Sequence, residues 1–315
     1  MSKYFDRKNI IMVKINENDL MSFLLKMDID DNGNPLYLVD DFAKEIMNVI
    51  PEYVFANYED PNADQTLWVE KISEAARAVY KIKEFELMHK VYCSDNEEER
   101  KKAEEELRTK SFKNRGEFGE ILLHMLLRDF KNTIPLVSKI YFKDSAGVPA
   151  HGFDAVHISP EEKILWLGES KLYIDGKKGI NELINDLEEH LNTNYLNDQF
   201  VLIKQNLKNN NIKQRDEWIK ILTEAGTLKE KLKLINIPLL CVYENDIYEK
   251  FTDMTSSDAD DYHELNIREL KKYFDEKPKA SLSAECNIIL MLFPIKNKYE
   301  LVKRLHEKLW HMQSI

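Results

Sequence analysis

Residues 152–173 read "GFDAVHISPEEKILWLGESKLY". Two short apolar runs flank a "PEE" turn, so the stretch reads as a β-hairpin. Asp154 opens the first strand, and Glu169 and Lys171 stand two residues apart near the end of the second. Side chains alternate along a strand, so Glu169 and Lys171 share a face. Pairing across the turn carries Asp154 toward Glu169. Charges inside apolar strands are expensive to bury unless an opposite charge compensates them. Two carboxylates on adjacent strands suit a hard divalent cation, Mg²⁺ or Mn²⁺ in its place. The nearby ammonium suits a water, or charge developing on a phosphate. The blander alternative is a structural Glu169–Lys171 ion pair with Asp154 at the surface.

The helix ahead of the hairpin, "NRGEFGEILLHMLLRDF" (114–130), carries Glu117 and Glu120 at its start. Acidic residues there can simply favour the helix N-terminus. Otherwise one of them, Glu120 by preference, reaches the hairpin site. His157 alternates to the opposite face from Asp154 and reads as a core or surface histidine. His124, one turn after Glu120, is a weaker candidate for supporting the site.

Working outward, "LVSKIYFKD" (136–144) reads as a strand, while 179–196 and much of 198–233 have helical spacing. "NIPLLCVYE" (236–244) and "CNIILMLFPI" (286–295) are continuous apolar runs, which suits strands buried on both faces. A final amphipathic helix spans 297–312. Before residue 113 the pattern predicts a strand over 9–15 and, over 36–50, helical spacing after a strand-like start, which Pro51 stops. A long helix follows over 62–93, then a highly charged helix opened by a Ser94–Glu97 capping box. The whole is a mixed α/β fold: a central mixed sheet flanked by helices, with a mainly helical N-terminal region. The boundary is placed at 112/113. Residues 1–112 form a partner-binding or supporting region, and 113–315 carry the site.

The chain has 315 residues, 43% apolar and 32% charged, with a net charge of −11. That balance excludes a generic basic nucleic-acid coat but leaves room for a local groove. Residues 203–235 hold eight Lys or Arg against four acidic residues, whereas 244–277 hold eleven acidic against five basic. Three cysteines without a CxxC pair argue against zinc and against a disulfide framework. No apolar run is long enough to span a membrane, and the first residues lack a secretory apolar stretch, so a cytoplasmic location is expected.

The order helix-Glu, strand, strand-Asp, strand-ExK, helix resembles the PD-(D/E)xK nuclease superfamily, which includes restriction enzymes, Holliday-junction resolvases and RecB-type nucleases. "RGEFGE" resembles the first-helix motif of resolvase-like members, and that resemblance favours Glu120. Phe153 stands where the name pattern has proline, at a position variable in the superfamily. "RGEFGEILLHMLLRDF" with "GFDAVHI…LWLGESKLY" is similar to the HamA family of Hachiman anti-phage effectors, to which AbpA of the AbpAB system is related. The likeness is clearest over 113–175, and residues 1–110 match no motif.

The resemblance implies a restriction-endonuclease-like fold and a Mg²⁺-dependent DNA nuclease. It also implies a superfamily 2 helicase partner (HamB) that senses DNA and restrains the nuclease. In that reading Asp154 and Glu169 bind metal, Lys171 assists the water and Glu120 completes the site. Lys177, Lys178, Tyr173 and the lysines of 203–235 are candidates for DNA contact. Two alternatives stand beside it. One is a non-catalytic interaction subunit on a nuclease-like fold, favoured by the acidic balance and the motif-free N-terminal segment. The other is a Holliday-junction-resolvase-like repair nuclease, which an acidic chain with a long N-terminal extension fits poorly.

Overall fold

A computed structural model describes residues 10–55, 68–79, 82–109, 116–137, 152–159, 161–209, 215–224, 227–279 and 281–315. The N-terminal half opens with β1 (Ile11–Asn16), β2 (Leu20–Leu25) and a small hairpin of β3 (Met27–Ile29) and β4 (Pro35–Tyr37). Helices α1 (Val39–Phe55), α2 (Trp68–Val79), α3 (Ile82–Cys93) and α4 (Glu97–Thr109) follow. Next come α5 (Glu117–Lys131), β5 (Ile134–Val137), β6 (Ala155–Ser159) and β7 (Ile164–Leu172). The C-terminal half contains α6 (Gly176–His190), α7 (Thr193–Asn209), α8 (Arg215–Glu224), α9 (Leu228–Leu232) and β8 (Ile235–Glu244). It ends with α10 (Ile247–Lys250), α11 (Ser257–Asp275), β9 (Asn287–Ile295) and α12 (Lys298–Gln313).

Seven strands form one mixed sheet in the order β1-β2-β9-β8-β7-β6-β5. Its centre is parallel, from β2 through β9 and β8 to β7, and the outer strands β1, β6 and β5 add antiparallel. The apolar runs of β8 and β9 are explained by this position, because both faces are covered. Leu240, Val242, Met291 and Phe293 point into a core shared with α1, α2, α3, α5 and α12. Leu239, Cys241, Leu290 and Leu292 point into a second core, under α6, α7, α8 and α11. Pro238 sits mid-strand in β8 and lacks an N–H to donate. The β7–β8 pairing skips the positions opposite Ile237 and Pro238 and resumes at Glu169↔Leu239. The gap thus falls immediately before the charged residues of β7.

Several sequence expectations change. β2, six buried residues, joins the sheet beside β9 and has no counterpart in the sequence reading. Residues on both sides of the 112/113 division therefore share one sheet, and α1 shares one core with α5 and α12. Pro51 does not stop α1, which runs on to Phe55. The last turn is held in place because Tyr53 and Val54 are buried in the core, and that packing outweighs the lost backbone hydrogen bond. Of the long helix expected over 62–93, residues 68–79 and 82–93 are helical as α2 and α3, and residues 62–67 and 80–81 lie outside the described residues. At α4 the cap is Asn96, whose Oδ1 accepts from the N–H groups of Glu98 and Glu99 at 3.0 and 3.3 Å. Ser94 instead donates to the Glu99 carboxylate at 2.7 Å. Of the strand expected over 136–144, only the start falls on described residues, within β5. Among the described residues no helix is long and apolar enough to cross a membrane.

Candidate active site

The hairpin forms as its sequence predicts, with Ala155 opposite Gly168 and Val156 opposite Leu167. Continued by one residue, that register sets Asp154 across from Glu169. Both carboxyl side chains are buried. Asp154 Oδ2 accepts two hydrogen bonds from Ser170, from its N–H and from its hydroxyl, both at 2.9 Å. The aspartate is thereby fixed to the very strand that bears Glu169 and Lys171.

Helix α6 holds the other two. Lys171 Nζ lies 2.5 Å from Asp186 Oδ2, and His190 Nδ1 lies 2.7 Å from Glu169 Oε1. The match is geometric. Two residues along a strand advance about 6.6 Å, and four along a helix about 6 Å. Positions 169 and 171 therefore meet 190 and 186 in register, with α6 running opposite to β7. His190 is fixed in turn, stacked on Tyr195 with centroids 4.4 Å apart and edge-on to Phe153 at 5.2 Å. Burial pulls the Lys171 pKa down. The hydrogen bond and charge of Asp186, with the charges of Asp154 and Glu169, outweigh it and leave the pKa raised. Lys171 is an ammonium ion at neutral pH.

Helix α5 lies close against the other face of β7. A Cβ at Gly168 would come within 2.8 Å of Leu123 Cδ2, and one at Gly119 within 3.2 Å of Ser170 Oγ. Only small residues permit this approach, which brings the start of α5 beside Asp154. Glu117 and Glu120 are both buried there. Glu120 Oε2 accepts a hydrogen bond from the Tyr53 hydroxyl at 2.8 Å. Burial first, then Glu120, Asp154 and Glu117, push the Tyr53 pKa well up. Asp154 is thus common to both sides: its charge is felt by Tyr53 on the α5 side and by Lys171 on the α6 side.

Among the described residues no three His, Cys, Asp or Glu side chains gather to hold a metal ion. Asp154 and Glu169 still fit Mg²⁺ in the way that ion is ordinarily held, by one or two carboxylates with water and substrate phosphates. Such a donor pair would suit an ion whose remaining ligands are water and a bound anion rather than a closed cage.

Three expected DNA contacts fall near the C-terminal end of β7. Lys177 and Lys178 are exposed in the first turn of α6, and Lys177 pairs with Glu269 at 2.6 Å. Tyr173 is half-buried, with Lys298 Nζ 5.6 Å from its ring centre. His157 faces away from the carboxylates, as alternation predicts, and bonds His124 and Thr133 at 3.0 and 2.7 Å. His124 therefore belongs to that network. Sequence reasoning missed Asp186 and His190. Their signal was the i, i+4 spacing in "DLEEH", on the helix that follows the ExK strand.

Fold and site together define a mixed α/β protein whose central hairpin gathers an aspartate, a glutamate and a lysine at one end. The HamA family model matches residues 3–309, and the chain belongs to the HamA family. This gives it a defence-related role in the Hachiman context. The match takes in the N-terminal half, where sequence reasoning found no motif. No curated protein matches the chain.

Proposed function

We propose that this protein is a Mg²⁺-dependent deoxyribonuclease, the effector of a Hachiman anti-phage system, and that it works in complex with a superfamily 2 helicase that restrains and triggers it. The observation that carries the reading is the convergence of Asp154, Glu169 and Lys171 at one end of the β6–β7 hairpin, with Asp186 and His190 orienting the last two. Family membership supports the defence setting and the helicase partner.

Asp154 and Glu169 would hold the ion. When bound, Mg²⁺ supplies Lewis-acid stabilisation of the phosphate and activation of a water. Lys171, which keeps its proton, is a donor and not a base. It orients the attacking water or stabilises charge on the phosphate. Glu120 adds a carboxylate from the α5 side. Lys177, Lys178 and Tyr173 lie where a DNA strand entering over the start of α6 would meet them.

The test uses the chain with its helicase, triggered by DNA, and reads cleavage with Mg²⁺, with Mn²⁺ and in excess chelator. Cleavage is expected with either ion, none with chelator, and none from Glu169→Ala or Lys171→Ala in protein that still folds. Full cutting by Glu169→Ala, or full cutting in chelator, overturns the reading.

A further inference from the structure

We infer that Tyr53, on the N-terminal helix α1, is a positioning residue for the active site and sets the Glu120 carboxylate beside Asp154. The inference rests on Glu120 belonging to the site proposed above.

Four observations carry it. First, the Tyr53 hydroxyl lies 2.8 Å from Glu120 Oε2, and both residues are buried. Second, the ring is seated: it stands edge-on to His124, one turn along α5 from Glu120, with centroids 5.5 Å apart. Third, α1 grips α5 at a second point through the preceding residue, where Glu52 Oε1 meets Arg128 Nε at 2.7 Å. Consecutive residues of α1 thus brace α5 about 12 Å apart along its axis, eight residues at 1.5 Å each. Fourth, Glu120 stands in an acidic neighbourhood with Glu117 and Asp154, whose charges all bear on the Tyr53 phenol. Carboxylates so placed repel one another, and a donor aimed at one of them keeps it ionised and fixes its direction. The phenol keeps its proton, so it can only donate to the carboxylate.

The consequence is that the N-terminal region, besides any partner it binds, supplies a residue to the site. The turn of α1 after Pro51 exists, in part, to deliver it.

The experiment is a double-mutant cycle on the full chain with Tyr53→Phe and Glu120→Ala. Phenylalanine keeps the ring against His124 and removes only the hydroxyl. Two quantities are measured: DNA cleavage by the helicase complex, and Mn²⁺ binding by calorimetry on the chain alone. Tyr53→Phe is expected to slow turnover about tenfold with KM little changed, as losing a hydrogen bond to a charged group predicts. It should also weaken Mn²⁺ binding measurably. Both effects should vanish in the Glu120→Ala background, because Tyr53 then has nothing to aim. A merely structural tyrosine would instead cost the same in both backgrounds, and that result overturns the proposal.

Wild-type behaviour of Tyr53→Phe in both readouts overturns it too. Should Tyr53→Phe melt early, 3-fluorotyrosine at position 53 is the second variant. It keeps the ring and the donor, so cleavage and Mn²⁺ binding should stay at wild-type level or better, and a loss in either counts against the proposal. If wild type cuts no DNA at all, the nuclease reading falls while the Mn²⁺ cycle still decides on Tyr53. If wild type binds no Mn²⁺ either, Glu120 has no site to serve and the proposal falls as well.

Discussion

The two faces of β7 carry polar groups of opposite character. Toward α5 the polar groups are dry. His124 and His157 are buried and bonded to each other, and the Glu52–Arg128 pair is only 8% and 7% exposed. His306 is enclosed nearby, stacked on Tyr92 and edge-on to Phe118. Burial, with help from the Arg128 charge, pushes His124 down to about 3. Burial, His124 and Arg128 push His157 well below its usual value. The Glu52 carboxylate, 3.9 Å from His124 Nε2, favours a proton on that nitrogen. Thr133 then donates to His157, and His157 to His124.

Toward α6, Glu169 is buried but the Lys171–Asp186 pair above it lies closer to water. Lys171 and Asp186 are 26% and 23% exposed. In the proposed reading the α6 face supplies Glu169 and Lys171, the α5 face supplies Glu120 and its support, and Asp154 stands between them.

The largest expected effect comes from stripping one face. Removing residues 1–112 would delete β1, β2 and α1, and would expose Met291, Phe293 and the inner side of α5. Burying such side chains contributes about 1.5–3 kcal/mol each. Their loss exceeds the total stability of a typical domain, about 5–15 kcal/mol. The truncated chain should therefore show no cooperative melting transition by calorimetry or circular dichroism. A truncated protein with a sharp transition would mean that the α5 face does not depend on its N-terminal cover.

Acid is the next lever, and it acts on the dry face. The folded pKa of His124 and of His306 is about 3, that of His306 lowered by burial and then by His89, against 6.5 for the free side chain. On acidification the unfolded chain takes up these protons first. Stability is then complete above pH 6.5 and falls as the pH drops toward 3. Each such histidine contributes a slope of about 1.4 kcal/mol per pH unit in that window. The melting temperature should fall steeply from pH 6 to 4.5, and His306→Leu should flatten part of that fall. A curve level from pH 7 to 4.5 would show that these histidines are hydrated, and the contrast between the faces would go.

The sequence exposed the wet face far better than the dry one. Asp154, Glu169 and Lys171 were legible because a charge inside an apolar strand breaks a period-two pattern, and the turn between the strands fixes which residues meet. β8 and β9 were legible because strands covered on both faces lose alternation altogether. Tyr53 was hidden by a local rule. Pro51 ends a helix in isolation, but α1 continues because Tyr53 and Val54 are buried against elements distant in sequence. β2 escaped because "LMSFLL" is short and apolar, and its partner β9 lies far along the chain. Asp186 and His190 were visible as spacing, yet only the crossing of α6 over β7 shows what the spacing matches.

The smallest effect is the sharpest test of the wet face. Asp186→Asn keeps the shape of the side chain and removes the charge paired with Lys171. Both partners are about a quarter exposed. The cost should be about 1 kcal/mol, near the surface value and far below the 3–5 kcal/mol of breaking a fully buried pair. The Lys171 pKa is raised above 10.5 in the folded chain. The pair therefore stabilises the protein fully below 10.5, and its contribution is lost as pH rises through the folded value. The gap between wild type and Asp186→Asn should be constant from pH 6 to 9 and close above 10.5. Salt should narrow it as well, because 1 M salt shortens the screening length to about 3 Å. Arg128→Met, on the dry face, should show a gap several times larger that salt barely changes. Melting curves of both variants at 0.1 and 1 M NaCl make the comparison. If Asp186→Asn costs as much as Arg128→Met and ignores salt, Lys171 sits in an environment as dry as that of His124. It would then hold its charge for packing rather than for an incoming phosphate.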